Sequence, residues 1–148
     1  MSRRARVLAA VCAVAVVVVG CGSSSSSDFR KKYNQVTRAN ASLPTDVNTA
    51  VTTASGKSDA DLARRFSSLS DRTNRYVDQL QQLKPPSKAK DEYNAFLGSL
   101  RKIANDVSAI SSAATSHDAR KARASVQSLG TDAKSSGSAE DALKKAVD

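Results

Sequence analysis

The sequence predicts an all-α protein in which residues 28–148 form an antiparallel, up-down four-helix bundle. Apolar residues recur at alternating steps of four and three, and short turns rich in Ser, Gly and Pro separate the segments that show this spacing. No segment has the two-residue alternation of a strand. Helices of similar length joined by short turns pack as antiparallel neighbours. A three-helix bundle with a loose C-terminal segment is the first alternative, and a long coiled-coil dimer is the second.

The first helix is expected over about residues 28–55. Its apolar seam has one polar member and consists of Phe29, Tyr33, Val36, Asn40, Leu43, Val47, Ala50 and Ala54. Pro44 lies inside this range and cannot donate a backbone hydrogen bond. Because the seam keeps its phase across Pro44, we expect one kinked helix rather than two.

The second and third helices are expected over about residues 59–83 and 87–116. Ser58 is a good N-cap for the second, and the prolines that follow Lys84 end it. The second seam is Leu62, Phe66, Leu69, Thr73, Tyr76, Leu80 and Leu83, and the third is Tyr93, Phe96, Leu100, Ile103, Val107, Ile110 and Ala114. Polar residues in the seams, Asn40 and Thr73, are expected to set helix register or to line a small pocket.

The fourth helix is expected over about residues 118–135. Its seam is poor in large residues and consists of Ala119, Ala122, Val126, Leu129 and Ala133. The apolar phase survives the Ser/Gly-rich stretch at 135–138, but Ser138 followed by Asp141 resembles a fresh N-cap. A separate short helix over 139–147 is therefore an open alternative to a continuous one.

Residues 1–20 have the organisation of a secretory signal. Arg3, Arg4 and Arg6 precede an uninterrupted apolar run at residues 7–19. A membrane-spanning helix needs about 20 apolar residues, so this run is short for a permanent span and typical of a signal peptide. An uncleaved short anchor is the less favoured interpretation.

The four residues Val18-Val19-Gly20-Cys21 close this run and are followed by Gly22 and five serines. They resemble the lipobox of bacterial lipoproteins, in which a peptidase cuts before the Cys and its thiol carries a diacylglyceryl group. The resemblance implies cleavage between Gly20 and Cys21, a lipid on Cys21 and a flexible Gly/Ser linker over residues 21–27. Two acyl chains, such as palmitate, anchor stably where one chain binds reversibly. An ordinary signal peptide with an incidental Cys21 is the alternative.

Removal of residues 1–20 would change the composition. They contain three of the 23 basic residues and none of the 14 acidic ones, which leaves 20 against 14 and lowers the formal net charge from +9 to +6. Cys12 would leave with the signal, so Cys21 would be the one remaining cysteine and neither an intrachain disulfide nor a Cys-based metal site is expected. A mildly basic chain with no basic motif interleaved with aromatics is not typical of nucleic-acid binding.

No catalytic or cofactor motif follows. His117 is the one histidine, and Ser116-His117-Asp118 is expected to be an exposed turn in which Ser116 or Asp118 caps the next helix. The two glutamates, Glu92 and Glu140, lack the neighbouring His of di-metal bundles. Gly56-Lys57-Ser58 lacks the upstream glycine and strand of a phosphate-binding loop. We therefore expect no enzyme, no metal and no cofactor.

The resemblance implies a lipid-anchored protein on the extracytoplasmic face of the cell membrane, with the membrane as a partner through Cys21. The helical part is similar to small Ala-rich bacterial lipoproteins without an assigned role. We expect a non-enzymatic binding or scaffolding role towards an envelope protein. The alternative is a carrier of a small ligand or lipid in the apolar seams. An anionic lipid surface is a further candidate partner because the bundle would gather basic residues beside the tether: Arg30, Lys31, Lys32, Lys84, Lys88, Lys90, Lys144 and Lys145.

Overall fold

The computed structural model describes residues 23–148 and confirms the all-α four-helix bundle. Its helices are α1 (Ser23–Ala39), α2 (Leu43–Thr52), α3 (Asp59–Gln81), α4 (Lys90–Thr115) and α5 (Ala119–Val147), with a 3-10 turn at Ser87–Ala89. The first of the four helical segments consists of α1 and α2, and the described residues contain no strand. Since α5 packs along α4 and buries its own C-terminal part, the alternative with a loose C-terminal segment is wrong.

The expectation of one kinked helix over 28–55 is wrong, because the chain turns at residues 40–42 and a second helix begins at Leu43. Pro44 lies in the first turn of α2, where its missing N–H costs nothing. Ser42 and Asp46 at this start are held to α3 by Arg72, whose guanidinium lies 2.8 Å from Asp46 Oδ2 and 3.1 Å from Ser42 Oγ. The turn keeps the seam in phase, since Leu43 is buried as Tyr33 is.

Two further boundaries differ from the expected ones. The serines at 23–27 belong to α1 rather than to a flexible linker. Serine is only moderately unfavourable in a helix, and extending an existing helix adds one hydrogen bond for each residue fixed. At the other end, α5 continues through 136–138 without a fresh cap, because Leu129, Ser136 and Leu143 are all buried on one face of a single helix. The separate short helix over 139–147 is therefore not formed.

The core divides into two clusters along the bundle axis. The closed half, as we call it, is rich in aromatic residues, and its core includes Phe29, Tyr33, Leu80, Tyr93, Phe96, Leu143 and Val147. The open half is mostly aliphatic, with Leu43, Val47, Ala50, Phe66, Leu69, Val107, Ile110 and Leu129. Neither cluster has a member before residue 29, so residues 23–148 contain the whole described core.

Helix α4 lies at the centre of the bundle. It packs against both α3 and α5, and residues off its predicted seam are buried as well, including Leu97, Ala104 and Ala113. A single heptad seam does not predict this second buried face, which exists because α4 has neighbours on two sides. Helices α3, α4 and α5 thus form a closely packed layer, across which the α1–α2 segment lies.

Candidate functional site: an apolar cleft between α2 and α5

A cleft of about 480 Å³ separates the α1–α2 segment from the middle of α5. Leu43, Val47 and Val51 line it from α2, and Val126 and Leu129 line it from α5. Thr73 and Tyr76 of α3 and Leu100 and Ile103 of α4 also line it, so it opens directly onto the centre of the bundle. Most of the lining is aliphatic, whereas polar or charged residues form most of the lining of the depressions beside Ser67 and beside Lys32.

The cleft is open because α5 carries small residues where it faces α2. A Cβ added at Gly130 would meet no heavy atom within 4 Å, and Ala133 beside it is exposed. The fourth seam places Ala119, Ala122 and Ala133 towards the core, but two of these three alanines are exposed and Ala122 is only partly buried. A methyl group is too short to bridge the gap to α2, so Val51 and Val126 stay only partly buried in this half.

Two polar residues of the cleft, Asn40 and the buried Thr73, form hydrogen bonds within the protein. The Asn40 amide donates to the Val36 carbonyl at 2.8 Å and to Gln79 Oε1 at 3.0 Å, and Thr73 Oγ1 donates to the Leu69 carbonyl at 2.8 Å. Asn40 and Thr73 therefore line the pocket that the seam pattern allowed for.

Tyr76 and Glu140 also contribute polar groups to the lining of the cleft. Glu140 accepts from the Tyr33 hydroxyl at 3.3 Å and forms an ion pair with Lys144 at 3.0 Å. Burial raises the pKa of Tyr76, and the nearby Glu140 carboxylate raises it further. The Tyr76 hydroxyl makes no hydrogen bond within residues 23–148. It is therefore a neutral donor available to a ligand.

A second cavity of about 550 Å³ adjoins the first. Val51 and Val126 line both cavities, so the two meet at this pair of side chains. The second cavity continues towards the α4–α5 turn over the apolar side chains of Leu62, Phe66 and Ile110. Its ionisable lining residues are Asp59, His117, Asp118 and Arg123.

His117 has a structural role in the turn between α4 and α5. The Asp118 N–H donates to the Ala113 carbonyl at 2.8 Å and the His117 N–H to the Ala114 carbonyl at 3.2 Å, so His117 occupies the left-handed position of a Schellman motif, with φ of 55°. Its exposed ring lies 2.5 Å from Asp59 Oδ2 at the start of α3.

The neighbours of His117 have structural roles too. The Asp118 carboxylate caps α5 by accepting from the Lys121 N–H at 3.0 Å, and the Ser116 hydroxyl donates to the Ser112 carbonyl at 3.0 Å. The structure thus places Ser116-His117-Asp118 as a turn that joins two helix ends. In the described residues, no three His, Cys, Asp or Glu side chains come together as metal ligands.

The end of the closed half brings together the start of α1, the turn after α3 and the C-terminus. Phe29, Ala89 and Val147 share one core cluster there, and Arg30 forms an ion pair with Asp148 at 3.1 Å. Two of the eight basic residues expected at this end, Arg30 and Lys144, are therefore neutralised by acidic neighbours.

Sequence reasoning missed the cleft itself. Its signal is the coincidence of two features, a helix break at Pro44 and a seam of Ala and Gly on the opposite helix. The small residues of α5 were visible in the sequence, whereas the helix break before Pro44 was not predicted, and the placement of the two on facing sides of the bundle depends on the three-dimensional packing.

The predicted cleavage and lipidation site at Gly20 and Cys21 lies outside the described residues. Within 23–148, no helix combines the length and apolar content needed to cross a bilayer. Comparison with known proteins finds no matching family model, no similar curated protein and no similar solved structure.

Proposed function

We propose that this chain is a lipid-anchored, extracytoplasmic binding protein that holds an apolar ligand in the cleft between α2 and α5 and catalyses no reaction. The observation that carries the proposal is the cleft, an aliphatic concavity of about 480 Å³. Ligand sites are concavities of roughly 300–1,000 Å³ with mostly apolar linings and a few polar groups that orient the ligand. The anchor rests on the lipobox resemblance at Cys21.

The thermodynamic argument concerns the exposed apolar lining. Apolar surface left in water costs roughly 25 cal/mol per Å², so a bundle that leaves Val51, Ile103 and Val126 only partly buried forgoes stability it could gain from larger residues on α5. Gly130 supports the same argument. Gly inside a helix lowers stability by about 0.5–1 kcal/mol relative to Ala, and there is space for a side chain at this position. A ligand that covers this surface explains why the space is kept.

The non-enzymatic part of the proposal is supported by how the polar groups are used. Asn40 and Thr73 bond to helix carbonyls, and Glu140 is held by Tyr33 and Lys144. These side chains are engaged in hydrogen bonds or ion pairs within the bundle, and they do not place a nucleophile beside a base.

The binding test uses N-phenyl-1-naphthylamine, a neutral dye that fluoresces strongly in apolar surroundings, titrated into residues 23–148. We expect saturable binding that Gly130→Leu weakens about ten-fold or more, because the new side chain occupies the cleft. The matched control is Gly137→Leu, on the same helix and also with no heavy atom within 4 Å of its Cβ, but away from the cleft lining. Absence of binding, or equal binding by the two variants, would refute the assignment.

The anchor has a separate test. Metabolic labelling with a tagged fatty acid should label the full chain in a bacterial host, and Cys21→Ser should abolish the label and release the protein from the membrane fraction. Labelling that persists in Cys21→Ser would contradict lipidation at this residue.

A scaffolding role towards an envelope protein is the second candidate. It is favoured by apolar residues that α5 leaves exposed, Ala119 and Ala133, and by Val126, which is only partly buried. Cross-linking in intact envelopes should then recover one specific partner, and Gly130→Leu should reduce its yield. Recovery of no specific partner would leave the apolar-ligand role alone.

A further inference from the structure

We propose that the ligand is a long-chain anionic amphiphile, whose carboxylate or phosphate head binds Arg123 and whose single apolar tail runs through both cavities towards Ala133. This inference rests on the proposed function and specifies the chemical class of its ligand. It is carried by the connection of the two cavities, by the distribution of charge along them and by their length.

The connection is made at Val51 and Val126, which line both cavities. On one side of this pair lie Leu62, Phe66 and Ile110, and on the other side lie Ile103 and Leu129. An apolar tail that crosses between the two valines would contact aliphatic or aromatic side chains in either direction. The two cavities therefore suit one elongated molecule better than two compact ones.

The charge distribution selects the sign of the head group. In the second cavity, Asp59 is paired with the His117 ring, and Asp118 is occupied by the α5 cap and by Lys121 at 3.7 Å. Arg123 lines the same cavity, is exposed, and has no hydrogen-bond or ion-pair partner in the part of the chain described here. Its guanidinium is thus the charged group in this lining that is free to bind, and it matches a carboxylate or phosphate in a bidentate geometry.

The length selects a long tail. Arg123 and Ala133 are ten residues apart on one helix, which corresponds to about 15 Å at about 1.5 Å per residue. Half of a bilayer hydrocarbon core of about 30 Å is also about 15 Å, the space that one lipid tail fills. A tail of membrane-lipid length with its head at Arg123 therefore ends beside Gly130 and Ala133 in the first cleft.

The experiment measures displacement of N-phenyl-1-naphthylamine from residues 23–148 by four competitors below their aggregation concentrations: hexadecanoate, hexadecyl phosphate, hexadecanol and octanoate. We expect both long anions to bind more tightly than neutral hexadecanol, and hexadecanoate more tightly than octanoate. Comparison of hexadecanoate with hexadecyl phosphate identifies which anionic head is preferred.

Two variants test the head and the tail separately. Arg123→Gln should weaken both long anions about ten-fold, the effect of one charged hydrogen-bonded contact, while leaving hexadecanol unchanged. Arg120→Gln is the matched control, an exposed arginine on the same helix that lines neither cavity, and it should have little effect. Gly130→Leu should weaken hexadecanoate far more than octanoate, because the long tail runs past residue 130, about 10 Å from Arg123, whereas an eight-carbon chain ends at about that distance.

The outcomes separate the two proposals. If the dye binds but hexadecanol competes as well as hexadecanoate, or Arg123→Gln behaves as Arg120→Gln does, the anionic head is refuted and the apolar-ligand role stands. If octanoate and hexadecanoate are weakened equally by Gly130→Leu, the extended tail is refuted. If the dye itself does not bind, both proposals fail. Cooperative thermal unfolding of each variant confirms that the comparison is between folded proteins.

Discussion

The two halves of this bundle differ in the size of the side chains that pack between the helices. In the closed half, large aromatic side chains fill the core, and Phe29 packs edge-to-face on Tyr93 with ring centroids 5.3 Å apart. A depression of about 580 Å³ beside Phe29 is lined mostly by charged and amide side chains. In the open half, alanine and glycine on α5 face the short helix α2, and about 480 Å³ stays empty. Both halves share helices α3, α4 and α5, so the difference comes from side-chain size on the facing helices. The proposed function assigns ligand binding to the open half, whereas the closed half is assigned no role beyond packing.

The largest expected effect comes from one substitution made in each half of α5. Leu143, 1% exposed, lies in the closed half, and Leu129, 6% exposed, lines the cleft. Leu143→Ala should lower the free energy of unfolding by about 4 kcal/mol, since it creates an enclosed cavity, and Leu129→Ala by about 2 kcal/mol, since its site already adjoins open space. Urea denaturation monitored by circular dichroism measures both. Equal losses would mean that the two halves are equally well packed.

Removal of two tyrosine hydroxyls gives a smaller contrast. The buried Tyr93 hydroxyl donates to the Leu80 carbonyl at the end of α3, whereas the Tyr76 hydroxyl has no partner within residues 23–148. Tyr93→Phe should cost about 0.5–1.5 kcal/mol because it removes a buried hydrogen bond, although the Leu80 carbonyl still accepts from the Leu83 N–H at 2.8 Å, and Tyr76→Phe should be close to neutral. Burial also raises the pKa of Tyr93 to about 12.

The pH dependence of stability gives a second test of the Tyr93 hydroxyl. Because the folded-state pKa of Tyr93 is raised, its neutral form is favoured in the fold, and stability should fall as the pH rises above about 10. Tyr93→Phe should reduce that alkaline loss. A variant as sensitive to alkali as the wild type would show that Tyr93 does not titrate in this way.

Substitutions at His117 test the geometry of the turn between α4 and α5, which lies beside the second cavity. A non-glycine residue in the left-handed region costs about 1–2 kcal/mol, part of which the Asp59 contact offsets. His117→Ala should therefore be about 1 kcal/mol less stable than His117→Gly, as measured by thermal unfolding. If Ala and Gly are equivalent at this position, the Schellman geometry is not maintained in solution.

The smallest effect is expected at Asp106, where α4 meets α5. Burial raises the pKa of this carboxyl above 3.8, the nearby Asp132 raises it further, and one buried carboxylate oxygen has no hydrogen-bond partner. A raised folded-state pKa means that the stability contribution is fully present below pH 3.8 and is lost as the pH rises through the folded-state value.

Asp106→Asn should accordingly be slightly more stable than the wild type at about pH 7, with the difference disappearing at about pH 3. Asp132→Asn serves as the control for the neighbouring charge, because it removes the repulsion but keeps the Asp106 carboxyl. A melting-temperature difference for Asp106→Asn that does not change with pH would contradict this account.

Much of the fold could be predicted because burial in helices follows a simple period. Tyr93, Phe96, Leu100, Val107 and Ile110 are buried as their spacing indicates, and Ser58 caps α3 by accepting from the Asp61 N–H at 3.1 Å. The break before Pro44 was missed because the turn at 40–42 preserves the phase of the seam. A periodic pattern reports which face is buried, and it is insensitive to an interruption that conserves that face.

The cleft could not be predicted for a different reason. The spacing of Ala119, Ala122 and Ala133 indicates a core-facing stripe, yet whether a stripe of methyl groups is covered depends on the distance to the facing helix. That distance is set by side chains from three other helices, among them Leu43, Tyr76 and Ile103. The local sequence of α5 therefore does not determine this distance.

The most direct test of the central claim is an NMR titration of residues 23–148, labelled at the methyl groups of Ile, Leu and Val, with N-phenyl-1-naphthylamine. A ligand site confined to the open half predicts chemical-shift changes at Val47, Val51, Ile103, Val126 and Leu129 and none at Leu80, Leu143 and Val147. Shift changes centred on the closed half, or none at any methyl group at saturating dye, would contradict it.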